Sequence, residues 1–184
     1  GTFSENLMKI IFFLFLLPLS CLAQEVTFDA VEEVNGLTYI KGTTTPFTGK
    51  TVGFHPNGNK STEIEYRNGI ESGTNRTWYA NGILYNETEI DSGKIHGKWI
   101  DYYPDGTKQN EVTYEKDYMN GPCTRWYANG QISEQGNYHH CREEGEWIYY
   151  WENGQIKARG IYHEAIKTGE WQYFDEKGNP VEKN

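Results

Sequence analysis

The side chains best suited to chemistry gather in one short stretch. His139-His140-Cys141 sets metal-ligand residue types side by side, and Glu143, Glu144 and Glu146 follow. Adjacent donors on a turn could serve zinc or copper, but a structural zinc site takes four ligands and no CxxC or HxxxH set supplies the rest. The other histidines, His55, His96 and His163, lie far apart in the chain. The stretch therefore reads as a solvated turn; no metal site and no cofactor is expected. The three glutamates lack calcium-loop spacing and read as a charged connection. Catalytic patterns are missing too: there is no nucleophile elbow, no GxxxxGKS/T phosphate loop and no Ser/His/Asp set in local context. A carboxylate pair among the 26 acidic residues could do acid–base work. No acidic position, however, stands out from its column in the repeat set out below, and the chain is expected not to be an enzyme. The sequons Asn75-Arg76-Thr77 and Asn86-Glu87-Thr88 matter only in a eukaryotic secretory pathway and read as chance matches.

A second group of residues recurs. Phe54, Trp78, Tyr102, Trp126, Tyr150 and Phe174 follow one another at 24-residue intervals. Rings in register can dock an apolar partner or stack on sugars, and they can equally pack within a curled sheet. These six are the candidate binding stripe.

What must position them is a repeat. Gly49, Gly73, Gly97, Gly121, Gly145 and Gly169 share the 24-residue period, and nine residues on stand Asn57-Gly58, Asn81-Gly82, Asp105-Gly106, Asn129-Gly130, Asn153-Gly154 and Lys177-Gly178. Asn-Gly and Asp-Gly suit tight type I′ turns, so each unit reads as one β-hairpin. With the turn at the eighth and ninth residues after the leading glycine, cross-strand partners have offsets summing to seventeen, and alternation sorts the faces. One face collects Trp99, Tyr103, Val112, Tyr114, Trp147, Tyr149, Trp151, Ile156 and Tyr162, which marks it for burial. The other holds Glu63, Glu65, Glu87, Glu89, Glu111, Gln135 and Arg159 and should meet water, with the aromatic stripe as its exception. Each leading glycine faces a residue seventeen on, in most units a Tyr, whose ring could lie across the bare backbone. The architecture expected is all-β: tandem 24-residue hairpins over 49–184 forming one elongated, twisted antiparallel sheet. Residues 24–48, with Asn35-Gly36, are expected to form a short capping hairpin.

A net charge of −9, spread through the units, leaves no basic patch for nucleic acid or an anionic membrane. Met8-Lys9, the apolar run Ile10 to Leu19 and Ser20-Cys21-Leu22-Ala23 have the order of a signal peptide cut after Ala23, so the protein is expected to be exported, to the periplasm, the cell surface or the medium. The run is too short for a stable membrane span. Cleavage before a lipid-anchored Cys21 is the lesser alternative, because Pro18 stands where a lipobox has Leu. Residues 1–7 precede this segment and are read as an upstream remnant. Cys123 and Cys141 are expected to stay unpaired, since the register puts them about five residues, or roughly 15 Å, apart along the strands.

Gly97-x-Trp-x-x-Tyr-Tyr-x-x-Gly106, then Tyr114 and Gly121, resembles the variant MORN repeat, and six such units in phase cover nearly all of 37–182. Pro46-Phe47-Thr48-Gly49 is also similar to the family, which includes bacterial proteins described as YwqK-type antitoxins. The resemblance implies a scaffold or protein-binding surface and brings no catalytic residues. Thr51, Asn75 and Cys123 stand where other units carry Trp, so looser packing is expected there. The partner is expected to be an unidentified protein or, because a single sheet leaves its apolar face uncovered, a second copy in a homodimer. A carbohydrate or cell-envelope ligand stacked on the aromatic stripe is the alternative. A cytosolic antitoxin-like partner protein is a third reading, at odds with an export signal.

Overall fold

Residues 24–182 of the chain are described by a computed structural model. The signal segment, its cut and the Cys21 alternative lie outside the described residues. The described residues form sixteen strands: β1 Gln24–Thr27, β2 Val31–Val34, β3 Leu37–Ile40, β4 Gly49–Phe54, β5 Lys60–Arg67, β6 Ile70–Glu71, β7 Gly73–Trp78, β8 Leu84–Asp91, β9 Lys94–Tyr102, β10 Lys108–Glu115, β11 Tyr118–Trp126, β12 Ile132–His139, β13 Arg142–Tyr150, β14 Ile156–His163, β15 Ile166–Phe174 and β16 Pro180–Val181. From β4 onward each pairs antiparallel with its neighbour in sequence, β6 being a short branch from β5. The sheet is mixed rather than wholly antiparallel, because β1 pairs parallel with β4, from Gln24 beside Gly49 to Thr27 beside Val52. Its thirteen consecutive strands span roughly 60 Å. β2 and β3 form a separate hairpin, closed by Asn35-Gly36 at φ of 52° and 76°. No helix among the described residues is long and apolar enough to cross a membrane.

The register expected from the glycine columns is the one observed. Gly49 faces Tyr66, Gly73 Ile90, Gly97 Tyr114, Gly121 Tyr138 and Gly145 Tyr162. The turns differ from expectation. In the Asn-Gly loops only the glycine takes positive φ, and its N–H donates three residues back, as from Gly130 to Tyr127 O at 2.9 Å. This is a type I turn closed by a glycine bulge, for which Asn needs no left-handed backbone. The type I′ turns lie between units instead, at Asn68-Gly69, Ser92-Gly93, Lys116-Asp117, His140-Cys141 and Glu164-Ala165, with both φ values positive in each pair. Three of those pairs lack glycine. They are held because each turn is tied to the strand beginning just after the previous one: Asp117 N donates to Ile95 O at 2.9 Å and Cys141 N to Met119 O at 2.9 Å.

In the first five hairpins the return strand carries one extra residue. Thus Tyr149 faces Ala158 but Tyr150 faces Ile156, and the same shift occurs beside Phe54, Trp78, Tyr102 and Trp126. Ile156 is thereby moved from the face assigned to it onto the face of Tyr150, since directly opposed residues share a face. The space at the leading glycines differs from expectation too. A Cβ on Gly97, at φ 115°, would strike the Glu89 side chain, and one on Gly73, at φ 128°, that of Glu65. Rings cross other glycines: Trp147 lies on Gly136 and Trp171 on Gly160, with ring carbons 2.3 and 2.4 Å from where a Cβ would sit.

The core lies on the face marked for burial. Val112, Cys123, Tyr138 and Trp147 form its centre, with Tyr114, Met119, Tyr149, Tyr162 and Trp171 packed against them. A side chain in a single sheet becomes inaccessible only when its neighbours lean over it. Around Trp147, 1% exposed, the Tyr138 and Tyr162 rings stand edge-on at 5.2 and 6.1 Å. Thr51 and Cys123, where looser packing is expected, are nonetheless shielded from solvent, at 0% and 1% exposed. Val26 of β1 pairs beside Thr51, and Val112 faces Cys123, supplying volume that cysteine lacks. Glu63 departs from the solvated face and is only 7% exposed. Lys50 and Lys60 reach it at 2.8 Å each, with Arg76 at 3.6 Å.

Candidate functional site

The six stripe residues end the outgoing strands of the six hairpins, so the common register places them in one row on one face. Phe54 is exposed, at 52%, and the other five are half-buried. The return strands set a partner opposite each: Lys60, Leu84, Lys108, Ile132, Ile156 and Pro180. The row thus alternates rings with aliphatic or lysine stems. Lys60 sits 5.8 Å from the Trp78 ring, Lys108 5.8 Å from Trp126, and Arg159 5.9 Å from Phe174, distances at which a cation is attracted to a ring face.

A second column, of which the sequence marks only Tyr103 and Trp151, and those for burial, fixes the spacing of the stripe. His55 Nε2, Tyr79 OH, Tyr103 OH, Tyr127 OH and Trp151 Nε1 donate to the carbonyls of Trp78, Tyr102, Trp126, Tyr150 and Phe174, at 2.7 to 3.1 Å. Each of these donors directly follows a stripe residue and grips the next unit's stripe residue. Burial pushes the Tyr79 and Tyr127 phenols up, keeping them protonated donors at neutral pH. Their 24-residue recurrence was visible; their role needed the neighbouring strand. Beside them the turn residues Asn57, Asn81, Asn129 and Asn153 donate from Nδ2 to Ala80, Pro104, Glu152 and Glu176 carbonyls.

On the opposite face one row breaks the repeat. Asn86 Nδ2 donates to Asp101 Oδ1 at 2.8 Å and Thr88 Oγ1 to Asn86 Oδ1 at 2.7 Å. Asp101 also accepts from Trp99 Nε1 at 2.9 Å and from Asn110 Nδ2 at 3.2 Å. Arg125 donates to Asn110 Oδ1 at 3.3 Å and is paired with Glu134. Equivalent positions in the fifth hairpin are Tyr149 and Ala158. Asp101 and Glu134 therefore do stand out from their columns, contrary to the uniformity read from the sequence. Counting apolar residues per face hid them, because the row is polar only in its middle units.

The acidic groups of this row are occupied by amide, indole and guanidinium donors. Burial raises the Cys123 thiol to about 11, which leaves it protonated and unreactive. Cys123 is buried inside β11 and Cys141 exposed on a turn, and both are free thiols. Cys141 Sγ accepts from Met119 N at 3.2 Å. At the histidine stretch the rings of His139 and His140 contact each other at 3.1 Å, and His163 pairs with Glu144 at 3.0 Å. Among the described residues no group of three or more His, Cys, Asp or Glu is placed to hold a metal ion. Asn86, of the second sequon, is buried with its amide engaged and is closed to modification in the folded chain.

Comparison with known families finds the MORN repeat variant in four segments, 47–68, 95–116, 119–140 and 143–164. No curated protein matches the chain significantly. Each matched segment spans an outgoing strand, a turn and the whole return strand, and the unmatched unit at 73–94 keeps the same register and the same carbonyl-gripping column, which continues to Phe174 of the last unit. The chain is a repeat protein whose hairpins are, in those four segments, similar to the MORN repeat variant.

Proposed function

We propose that the protein is an interaction scaffold that docks a protein partner along Phe54, Trp78, Tyr102, Trp126, Tyr150 and Phe174, and that it is exported by the leader ending at Ala23. One observation carries the docking surface: rings recur at the same position of six successive hairpins, with the next ring's carbonyl gripped by the residue after each of five of them. Two strands per unit set neighbouring rings roughly 10 Å apart. A row of partly open aromatic side chains with polar neighbours has the composition of a binding surface, in which aromatic anchors provide most of the energy.

The test uses purified protein beside a Trp78→Ala, Tyr102→Ala, Trp126→Ala variant whose fold is checked by circular dichroism. Both are exposed to envelope extract and to insoluble polysaccharides, and both are sized in solution. A protein bound by the parent and lost by the variant supports the scaffold; a protein held equally by both overturns the assignment of the stripe. A homodimer dissolved by the variant makes the partner a second copy. Glycan retention lost in the variant replaces the protein partner by a carbohydrate. Fractionation of the producing cells checks export, and a protein confined to the cytosol would revive the antitoxin-like reading.

A further inference from the structure

Away from the stripe's centre, the face that carries the core opens into a hollow in the last two hairpins. The return-strand row holding Asn86, Asn110 and Glu134 continues at Ala158, where the side chain shrinks to a methyl group. A hollow of about 640 Å³ lies over it, walled by the rings of Tyr149, Tyr162 and Tyr173 and rimmed by Lys157 and Lys167. That volume is within the range of sites for small organic ligands. The Tyr149 and Tyr162 hydroxyls lie 3.3 Å apart. One donates to the other, which leaves one O–H and the remaining lone pairs to meet a ligand. Burial pushes the Tyr149 phenol up, so it stays protonated.

The rim has a charge opposite to that of the molecule. Lys157 Nζ rests 4.4 Å from the Trp151 ring and Lys167 Nζ 4.0 Å from the Trp171 ring, so both ammonium groups are held over aromatic faces. Of the two carboxylates on the wall, Glu134 is paired with Arg125, which leaves Glu182 against two lysines. In a chain of net charge −9 this is a local positive site. Ring faces suit the apolar C–H face of a pyranose, phenol hydroxyls suit its hydroxyls, and the lysines suit a carboxylate.

We propose that this hollow is a subsite for an acidic sugar ring, a uronic acid unit of a polysaccharide. Tyr150 and Phe174 of the stripe border it, but the proposal does not rest on the stripe's docking role. The probe is a trisaccharide of galacturonic acid, compared with neutral galactotriose, followed by tryptophan fluorescence and calorimetry on the whole protein. The acidic probe should bind with Kd below roughly 1 mM, about tenfold tighter than the neutral one, and weaken with added salt. Ala158→Asn, which installs the residue this row carries at 86 and 110, should fill the hollow, keep the fold and weaken binding at least roughly tenfold. Lys157→Gln with Lys167→Gln should reduce the acidic probe to the affinity of the neutral one, and this pair decides if the Asn variant does not fold. The Trp78, Tyr102, Trp126 variant should bind the trisaccharide as the parent does, so failure of the stripe and failure of the hollow are distinguishable. No saturable binding by about 10 mM, or binding unchanged in the lysine pair and in Ala158→Asn, would overturn the proposal.

Discussion

Single residues show best where the repeat bends its own rules. Alternation places Glu63 with the solvated glutamates, yet Lys50 and Lys60 close over it and leave it 7% exposed. The sequence displays the charges but not that three cations from two other strands and its own converge on one carboxylate. Burial alone would push the Glu63 carboxyl up; hydrogen bonds from Lys50 and Lys60 outweigh it and hold the group below the usual carboxylate range. A carboxyl lowered on folding contributes stability that is complete above its unfolded value, near 4.5, and is lost as pH falls through the folded value. Glu63→Gln should therefore cost about 1–2 kcal/mol at pH 7 and flatten the fall in stability between pH 5 and pH 3, read from urea midpoints. Asp105 offers the reverse case. It accepts from Thr107 N at 2.9 Å like its Asn counterparts, but a carboxylate has no donor for the next unit's carbonyl at Ala128. Asp105→Asn should raise Tm by about 1–3 °C, and Asn129→Asp, which removes the bond to Glu152 O, should lower it by a similar amount.

Between elements, the hairpins meet through complementary volumes. The return strand of one unit and the outgoing strand of the next pair Thr88 with Trp99 and Val112 with Cys123, and they stack Trp147 on Gly136 and Trp171 on Gly160. Gly136→Val should strike the Trp147 ring and cost about 2–4 kcal/mol; Trp147→Cys should empty the site and cost about 3–5 kcal/mol. Together they recreate the Val112–Cys123 junction, and the double variant should be more stable than the summed single losses by at least about 1 kcal/mol in a urea-denaturation cycle. Equal, additive losses would mean the pairing is incidental. This scale was half legible. Glycine and Asn-Gly columns set the strand register, because a two-residue period leaves little freedom once both ends are fixed. The turn types were not legible: Asn-Gly serves both a type I′ turn and a glycine-bulged type I turn, and the bulge is what moved Ile156 to the other face. The left-handed pairs Lys116-Asp117 and Glu164-Ala165 carry no local signal, since bonds from the preceding unit impose them. Asp101 and Glu134 differ from their columns in the sequence itself, but that they belong to one hydrogen-bonded row shows only once neighbouring strands are side by side.

At the scale of the whole molecule, each hairpin pairs through its strands only with its neighbours, so stability is approximately a sum of unit and junction terms. Junction volumes then decide which unit can be removed. Deleting residues 145–168 brings Gly136 opposite Trp171, which repeats the glycine–tryptophan junctions already present. Deleting residues 73–96 brings Ile64 opposite Trp99, a pairing of larger total volume than any junction of the chain uses. The two deletions remove equal lengths, one ring of the stripe each, and one of the asparagine bonds each, so their difference reports chiefly on the junction. The first product should unfold in one cooperative urea transition with a midpoint below that of the parent by the loss of one unit. The second should be less stable than the first by about 2–4 kcal/mol, or should fail to give a cooperative transition. Equal midpoints would show that the units tolerate any neighbour. In that case the carbonyl-gripping columns at the sheet margin, present in both products, would be what orders the array, and the aromatic stripe they space would be insulated from changes in the core beneath it.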